Sequence, residues 1–437
     1  MMRSMYAAVS GLRNHQTRMD VIGNNIANVN TTGFKKSRVT FKDAFSQVLK
    51  GASRPEGGLG GTNPMQVGMG MVLGSIDVIH TKGNAQGTGK MTDLCIDGEG
   101  FFILNSGTGS LYYSRAGAFD FDREGNFINP DGMIVQGWYL NEYGERLRSR
   151  TDNTIDPAAP PSNLALIHQL TPPQATSSVV LSGNLHDGTA PDESFSRTFT
   201  VYDQKGNPYD VQIEFEPGAS LPAPPENEFE NAFSAWTWSI PGVEGTLVFD
   251  AAGNILGVTV DENDNEAEVT GTTVKLTFDP DKESTGDECV QVFDFSGITQ
   301  YADPRGESII SVQQDGYTYG RLEELVVDDK GVISGSFSNG TSRPLLQVAI
   351  ATFGNPAGLI GRGNSLFALS NNSGEPQIDA PGTGMAGAVS PSSLEMSNVD
   401  LSEEFTDMIV TQRGFQANSR VITASDEMLQ ELVNMKR

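Results

Sequence analysis

Apolar residues repeat with helical spacing at both ends of the chain. Near the start, steps of four and three residues, with Gln16 filling one gap, link Met5, Val9, Leu12, Met19, Ile22, Ile26 and Val29. Near the end, with Gln412, Ser419 and Ser425 filling gaps, the same steps link Leu401, Phe405, Met408, Phe415, Ile422, Leu429 and Leu432. This heptad pattern predicts long amphipathic helices over 1–30 and 400–437, each with an apolar seam. Ser402, followed by two glutamates, is the expected start of the second helix.

The region between these helices has the sequence pattern of short β-strands. Segments such as RTFTVYD, DVQIEFE and GTTVKLTFD alternate apolar and polar residues. Asp-Gly or Asn-Gly pairs, which favour tight hairpin turns, begin at Asp97, Asp131, Asp315 and Asn339. The chain is therefore predicted to be mainly β with N- and C-terminal α-helices.

Charge is unevenly distributed along the chain. The formal net charge is −26, and residues 187–305 contribute 24 acidic residues against five basic ones. Residues 1–38 hold six basic residues and one acidic residue, whereas residues 395–437 hold eight acidic and four basic residues. These opposite charges, +5 and −4, favour pairing of the first helix with the last. Two unrelated solvated helices remain the alternative.

Composition also argues against several classes of protein. A strongly acidic chain does not suit a nucleic-acid backbone, which needs a Lys- and Arg-rich surface. No stretch of about 18 apolar residues predicts a membrane span. The N-terminus also lacks the unbroken apolar run of a secretory signal peptide, because Arg13, His15 and Arg18 interrupt it. The residues alone would therefore suggest a cytoplasmic protein.

The search for catalytic, cofactor or metal chemistry yields no candidate residue. The segment GNAQGTGKM departs from the phosphate-binding loop pattern at two positions, and the four histidines lack zinc-enzyme spacing. Cys95 and Cys289 are far apart in sequence and are expected to be buried free thiols. A long chain with heptad ends and no such chemistry suggests self-association, with no enzymatic activity and no cofactor. An adhesin-like β protein and a hydrolase that uses acidic pairs are the two alternatives.

The two ends of the chain resemble bacterial flagellar rod and hook proteins. The resemblance is carried by NNIANVNTTGFKK near the start and by TQRGFQANSRVITASDEMLQELVNMKR at the end. It extends to DGEGFFIL, YSRAGAFDFDREGN and DGMIVQGW in the first half, and to LLQVAIATFGNPAGLIGRGNSLF in the second. Together these segments cover about half of the chain. The length and the long insertion between about 150 and 315 favour a hook protein over the shorter rod proteins.

The resemblance implies a nested architecture around a coiled-coil pair. Helix 1–30 would pair with 400–437 in an inner tube, and 31–75 with about 385–399 would form a linking segment. An inner β domain would combine 76–150 with 316–384, and the acidic β domain of 151–315 would be inserted in it and lie outermost. One feature disagrees, because the extra length of residues 52–71 resembles a distal rod protein. A rod, or drive-shaft, subunit is therefore the alternative.

The resemblance further implies that copies of the chain stack into a hollow curved tube, a universal joint that transmits motor torque to the filament. The implied partners are other copies, the rod, the hook–filament junction protein, the hook cap and the type III export apparatus. Such export explains the missing signal peptide and predicts a flagellar location outside the cytoplasm, extracellular rather than periplasmic. It also suggests a role for four asparagines around the end of the first helix. Hydrogen bonds to neighbouring subunits that fix register are expected of Asn24, Asn25, Asn28 and Asn30, the first three lying off the apolar seam.

Overall fold

A computed structural model describes most of the chain. The described residues are 2–52, 54, 61–107, 109–149, 152–166, 170–190, 193–218, 232–241, 243–260, 268–278, 289–304 and 306–435. They form a mainly β protein with a long helix at each end, which confirms the predicted fold class. The predicted helical residues 1, 436 and 437 lie outside this description.

Two long helices precede and follow the β-strands along the chain. Helix α1 spans Met2–Ala27, helix α2 spans Leu401–Asn434, and a short 3₁₀ helix spans Pro356–Gly358. The expected start of α2 at Ser402 is wrong by two residues. Asp400 caps the helix, because its carboxylate accepts hydrogen bonds from the backbone N–H groups of Ser402 and Glu403.

The strands are numbered here in chain order. Those before residue 170 are β1 Ser37–Asp43, β2 Ser46–Lys50, β3 Met65–Gly68, β4 Met71–Val78, β5 Ala85–Gly87, β6 Leu94–Asp97, β7 Phe101–Asn105, β8 Leu111–Ser114, β9 Asp120–Phe121, β10 Phe127–Ile128, β11 Ile134–Tyr139, β12 Leu147–Ser149, β13 Asp152–Ile155 and β14 Ser162–Asn163. The next are β15 Leu170–Thr171, β16 Ser178–His186, β17 Phe195–Tyr202, β18 Pro208–Pro217, β19 Ser234–Ile240, β20 Val243–Phe249, β21 Ile255–Val260, β22 Glu268–Thr270, β23 Thr273–Phe278, β24 Cys289–Tyr301 and β25 Ile309–Gln314. The last are β26 Gly320–Val327, β27 Val332–Phe337, β28 Ser342–Val348, β29 Ile350–Thr352, β30 Ile360–Gly363, β31 Leu366–Ala368, β32 Gln377–Asp379, β33 Ala388–Pro391 and β34 Ser393–Glu395.

The described residues divide into two compact units, with one inserted in the other. The first unit comprises residues 1–167, 325–335 and 343–437, and the second comprises 168–324 and 336–342. The acidic stretch therefore lies in the inserted unit. The finer division predicted from the sequence, with boundaries at 30, 75, 150, 315 and 400, stays a prediction.

A tight turn ends α1 and leads into the linking segment. The helix stops at Ala27, and Gly33 then adopts a φ of +67°, as expected for a glycine at this point. A Cβ at this position would also lie 2.5 Å from the backbone nitrogen of Ala116, so only glycine fits. The chain then forms two antiparallel strand pairs, β1 with β4 and β2 with β3.

The β-strands of the first unit, which we call the β body, are built on a central antiparallel sheet. Strand β7 pairs with β8, β11 and β29, and β8 pairs with β31. Both faces of β7 are buried, because Phe102 and Leu104 point into one apolar cluster and Phe101 and Ile103 into another. Cys95, on the neighbouring β6, is a buried free thiol, as predicted.

The second unit is a β-sandwich. One sheet has the order β22-β23-β24-β16-β25 and the other β17-β18-β19-β20-β21. Only β16 and β24 pair in parallel among these described strands. Side chains from both sheets meet in one apolar core, which includes Phe215, Trp236 and Trp238 from one sheet and Phe293 and Phe295 from the other. A shared core of this kind is typical of two sheets packed face to face.

Phe293→Ala is expected to destabilise the second unit by about 3–5 kcal/mol, since it leaves a cavity in this core. Guanidinium unfolding followed by tryptophan fluorescence in a Trp138→Phe background measures this, because Trp236 and Trp238 then report on the second unit alone. Val180→Ala, at an exposed position of β16, is the control and should cost less than about 1 kcal/mol. Equal losses in the two variants would contradict the assigned core.

Candidate assembly surface

The two terminal helices pack against each other in antiparallel fashion. Gly11 faces Asn418, and His15 faces Gly414. A Cβ on Gly11 would lie 2.7 Å from the side-chain nitrogen of Asn418, and one on Gly414 would lie 2.8 Å from the His15 ring. The two glycines therefore allow a close approach of the helices. Glycine inside a helix costs about 1 kcal/mol relative to alanine, so helix propensity does not explain these two residues.

Polar bonds also join the two helices. The Arg18 guanidinium lies 2.7 Å from the Asp407 carboxylate, and the Asn25 side-chain amide donates to Glu404 at 3.2 Å. Except for Ile22, the buried residues of the two helices are small or polar. They are Ala8, Gly11, Ile22, Asn25, Glu404, Thr411 and Ser425. Of these residues the sequence singles out only Ile22, as part of the apolar seam, and Asn25, as a polar residue expected to fix register. Glycines inside a helical pattern, at 11 and 414, were the available signal.

The predicted apolar seams lie mostly beside this contact. On α1 and the turn after it, Ile22 is buried, Val9 is exposed, and the half-buried members are Met5, Leu12, Met19, Ile26 and Val29. On α2 the half-buried members are Met408, Phe415, Ile422 and Leu429, and the exposed members are Leu401, Phe405 and Leu432. Pairing within one subunit therefore covers only part of each seam.

A large set of apolar side chains on this part of the molecule is exposed. On α1 and α2 the set comprises Tyr6, Val9, Leu401, Phe405, Ile409, Val410, Val421, Met428, Leu432 and Val433. On the linking segment it comprises Phe45, Val48, Leu49, Met65, Val67, Met69, Val72 and Leu73. A concentration of exposed large apolar side chains on a few elements favours an interaction site.

The asparagines at the end of α1 differ in their surroundings. Asn25, which lies off the apolar seam, takes part in the contact between the two helices. Its side chain is 1% exposed, donates to the Ser37 carbonyl at 2.9 Å and accepts from the Ser37 N–H at 3.0 Å, besides its bond to Glu404. Asn28 donates to the carbonyl and side-chain oxygens of Asn24, both at 2.9 Å. Asn24 and Asn30 are exposed. A role in register between subunits therefore stays a prediction, with Asn25 already bonded within its own subunit.

A buried charge cluster joins the ends of both helices to the β body. The Glu395 carboxylate, fully buried at the end of β34, lies 2.6 Å from the Lys35 ammonium and 3.4 Å from the Arg115 guanidinium. It also accepts from the Gly83 N–H at 2.8 Å, and Lys35 donates to the Thr81 carbonyl at 2.7 Å. Burial lowers the pKa of Lys35 and of Arg115, and the Glu395 carboxylate opposes both shifts.

Asn398 extends this junction towards α2. Its side-chain oxygen accepts from the Lys36 N–H at 2.7 Å, and its amide donates to the Ile79 carbonyl and the Thr81 hydroxyl, both at 2.9 Å. Three chain segments that are far apart in sequence are therefore held within hydrogen-bonding distance just before α2 begins. We call the side chains of Lys35, Arg115, Glu395 and Asn398 the junction cluster.

His80 lies next to the junction cluster in an apolar setting. Its ring packs edge-on against Phe101 and Phe367, with centroids 5.6 and 5.3 Å apart. Burial, reinforced by the charges of Lys35 and Arg115, lowers the pKa of His80 from 6.5 to about 4. The imidazole is therefore neutral at neutral pH.

Neither a metal-binding cluster nor a membrane-spanning helix occurs among the described residues. Among them, no group of three or more histidine, cysteine or acidic side chains is arranged to hold a metal ion. Within the same residues, neither long helix is apolar enough to cross a membrane. The exposed apolar helices and linking segment are thus the main candidate for function in the described structure.

Comparisons with known proteins agree with this reading of the helices. The family described as "Flagella basal body rod protein" matches residues 5–35, and "Flagellar basal body rod FlgEFG protein C-terminal" matches 390–435. "Flagellar hook protein FlgE/F/G D1 domain" matches 95–184, and "Flagellar basal body protein FlaE D2 domain" matches 176–317. The chain is 39% identical to the flagellar hook protein FlgE of Treponema pallidum (strain Nichols), over the whole of both chains. The chain belongs to the flagellar hook protein family.

Further relatives include both hook and rod proteins. The flagellar hook protein FlgE of Borreliella burgdorferi is 40% identical over the whole of both chains. The flagellar basal-body rod protein FlgG of Bacillus subtilis is 31% identical, also over the whole of both chains. The lower identity to the rod protein leaves the rod alternative less well supported. In this hook-family chain, the two terminal matches contain Lys35 and Glu395, the central pair of the junction cluster.

Glu395→Gln is expected to destabilise the first unit by about 3–5 kcal/mol, because it leaves two buried cations without a counter-charge. The matched control is Glu403→Gln, whose exposed ion pair with Lys36 should contribute less than about 1 kcal/mol. Guanidinium unfolding followed by helical circular dichroism measures both, since both long helices belong to the first unit. Similar losses for the two variants would contradict the role of the junction cluster.

Stability is expected to fall as the pH is lowered from about 6.5 to about 4, because His80 takes up a proton in the unfolded state but not in the folded one. Thermal unfolding midpoints at about pH 7 and about pH 5 measure this loss. His80→Gln should lose less stability than the wild type over the same interval, which separates His80 from the carboxylates. Parallel behaviour of the two proteins would show that His80 titrates normally.

Proposed function

We propose that the chain is the structural subunit of a bacterial flagellar hook. Copies assemble into a hollow curved tube that acts as a universal joint and transmits motor torque to the filament. The observation that carries this proposal is the near-40% identity to hook proteins over the whole length. The exposed apolar side chains of both helices and of the linking segment support it, because assembly would bury them.

The distribution of apolar and charged surface supports a tube built in layers. We assign the helix pair to the inner tube, the β part of the first unit to the layer around it, and the acidic second unit to the outside. Like charges on neighbouring outer units repel over about 8 Å at physiological salt, which favours loose outer contacts. Loose outer contacts around a tightly packed inner tube suit a structure that must bend while it rotates.

The proposed partners follow from this role. Besides other copies of the chain, they are the rod below, the hook–filament junction protein above, the hook cap during assembly and the type III export apparatus. The proposed location is the flagellar hook, beyond the cytoplasmic membrane. Antibody labelling of intact and of permeabilised cells decides between the extracellular location expected from the sequence and a periplasmic one. The proposed role is structural, without catalysis.

Electron microscopy of the purified and concentrated chain tests the proposal directly. A hollow curved tube is the expected product. A straight, stiff tube would instead assign the chain to the distal rod, the alternative that the long segment of residues 52–71 favours. A soluble monomer that never polymerises would contradict both assignments.

Phe405→Asp is expected to abolish tube formation and to leave the monomer folded, because Phe405 is half exposed in the isolated subunit. Each subunit would then bury an unpaired carboxylate on assembly, at a cost of several kcal/mol. Sedimentation and electron microscopy measure assembly, and circular dichroism checks the fold. Tyr143→Asp, at an exposed site of the β body, is the control and should assemble normally. Normal tubes from Phe405→Asp would remove this helix face from the interface.

A further inference from the structure

Methionine is concentrated on the exposed surface that we assign to assembly. Five of the described methionines are exposed, and four of these lie on the linking segment or on α2. The four are Met65, Met69, Met428 and Met435, and the fifth is Met385, in the turn before β33. Methionine is unbranched and adapts its shape to a partner surface, but its thioether sulfur is open to oxidation. These side chains are therefore apolar only as long as they are not oxidised.

Two of the five methionines share one face of strand β3. Met65, Val67 and Met69 alternate with two other residues, so their side chains lie on the same side of the strand. Phe45 lies opposite Met69 across the β2–β3 pair, because the Met69 N–H donates to the Phe45 carbonyl at 2.8 Å. All four side chains are exposed, with Met65 58% and Met69 39% exposed. We call these four side chains the methionine face.

The methionine face is held next to α1. A Cβ on Gly70 would lie 2.3 Å from the Ser10 hydroxyl oxygen, so the chain directly after Met69 packs against the helix. The Asn14 side chain donates to the Met71 carbonyl at 2.8 Å, and the Met71 N–H donates to the Ser10 hydroxyl at 3.3 Å. These contacts fix the base of the β2–β3 pair on α1. The methionine face therefore borders the helix pair on the surface that we assign to assembly.

The exposed methionines of α2 have a charged neighbour. Glu431 lies three residues after Met428 and four before Met435, so it shares their side of the helix. Its carboxylate keeps that side hydrated whether or not the two sulfurs are oxidised. Oxidation therefore changes the polarity of this side of α2 only slightly.

The methionine face has a more apolar environment. Lys50, opposite Met65, is the one charged residue of strands β2 and β3. Met69 lies at the other end of the face, where its neighbours are Val67 and the ring of Phe45. One oxygen atom added to the Met69 sulfur places a strong hydrogen-bond acceptor in this apolar surface. Burying such an acceptor without a donor is unfavourable.

We propose that Met65 and Met69 form a reversible modification site at which oxidation blocks the self-assembly of the chain. Hydrogen peroxide is the oxidant. The sulfur lone pair forms a bond to one peroxide oxygen, the O–O bond breaks, and the second oxygen leaves as water with the proton of the first. A second copy of the chain covers the reduced, apolar face during assembly, whereas covering the sulfoxides removes their hydration. This inference rests on the proposed self-assembly and adds a way to regulate it.

Peroxide treatment of the full-length monomer tests the site. Peptide mass spectrometry should show one added oxygen at Met65 and at Met69 before the half-buried Met71 and Met133 react. The critical concentration for polymerisation, measured by light scattering and sedimentation, should rise about tenfold or more. Treatment with methionine sulfoxide reductases specific for each sulfoxide epimer should restore the original value. Circular dichroism should stay unchanged, because both side chains are exposed in the monomer.

A matched pair of double variants assigns the effect to this site. Met65→Leu combined with Met69→Leu keeps both positions apolar and of similar size, so it should assemble like the wild type both before and after peroxide treatment. Met428→Leu combined with Met435→Leu removes as many exposed methionines from α2 and should lose assembly in peroxide as the wild type does. Equal protection by the two double variants, or loss of assembly in both, would overturn the modification site while the proposed hook function stands. An untreated wild-type chain that does not polymerise would overturn both.

Discussion

The buried carboxylate of Glu395 is the interaction on which the arrangement of the subunit depends. It lies between the Lys35 ammonium and the Arg115 guanidinium, and a buried cation without such a partner is strongly destabilising. Lys35 follows the first helix, Glu395 precedes the second, and Arg115 belongs to the β body between them. One charge cluster thus fixes where both ends of the chain leave the β body. The helix pair, which we assign to the inner tube, starts from this point.

The helix pair uses one kind of residue for contacts within the subunit and leaves another kind exposed for contacts with other copies. Its central contact uses small and polar side chains, such as Gly11, Thr411 and Asn25, which fit closely and hydrogen-bond. Large apolar side chains, such as Phe405 and Ile409, stay exposed. Small residues bring two helices close, whereas large apolar residues gain most from burial when further subunits cover them. The same two helices can therefore be stable in the monomer and adhesive in a polymer.

The β body and the inserted unit serve this arrangement in different ways. The first unit supplies Arg115 and the backbone groups that hydrogen-bond Glu395 and Asn398. The second has its own core, with Trp236, Trp238 and Phe293 at its centre, and carries much of the acidic excess. A unit with an independent core can change its contacts without disturbing the helix pair. That independence suits the tightly packed inner tube and the loose outer contacts that we propose for the hook.

The sequence by itself determined the two terminal helices, the β texture between them and the family, because heptad spacing, turn pairs and terminal motifs are local patterns. Only the tertiary structure decided which helix faces meet and how Lys35 is used, because Lys35 and Glu395 are 360 residues apart along the chain. A heptad count follows apolar residues, so it could not show that Asn25 and Glu404 are buried against each other. Such buried polar pairs form only when folding brings residues from distant parts of the chain together and removes both from water. No local sequence pattern shows which residues will meet in this way.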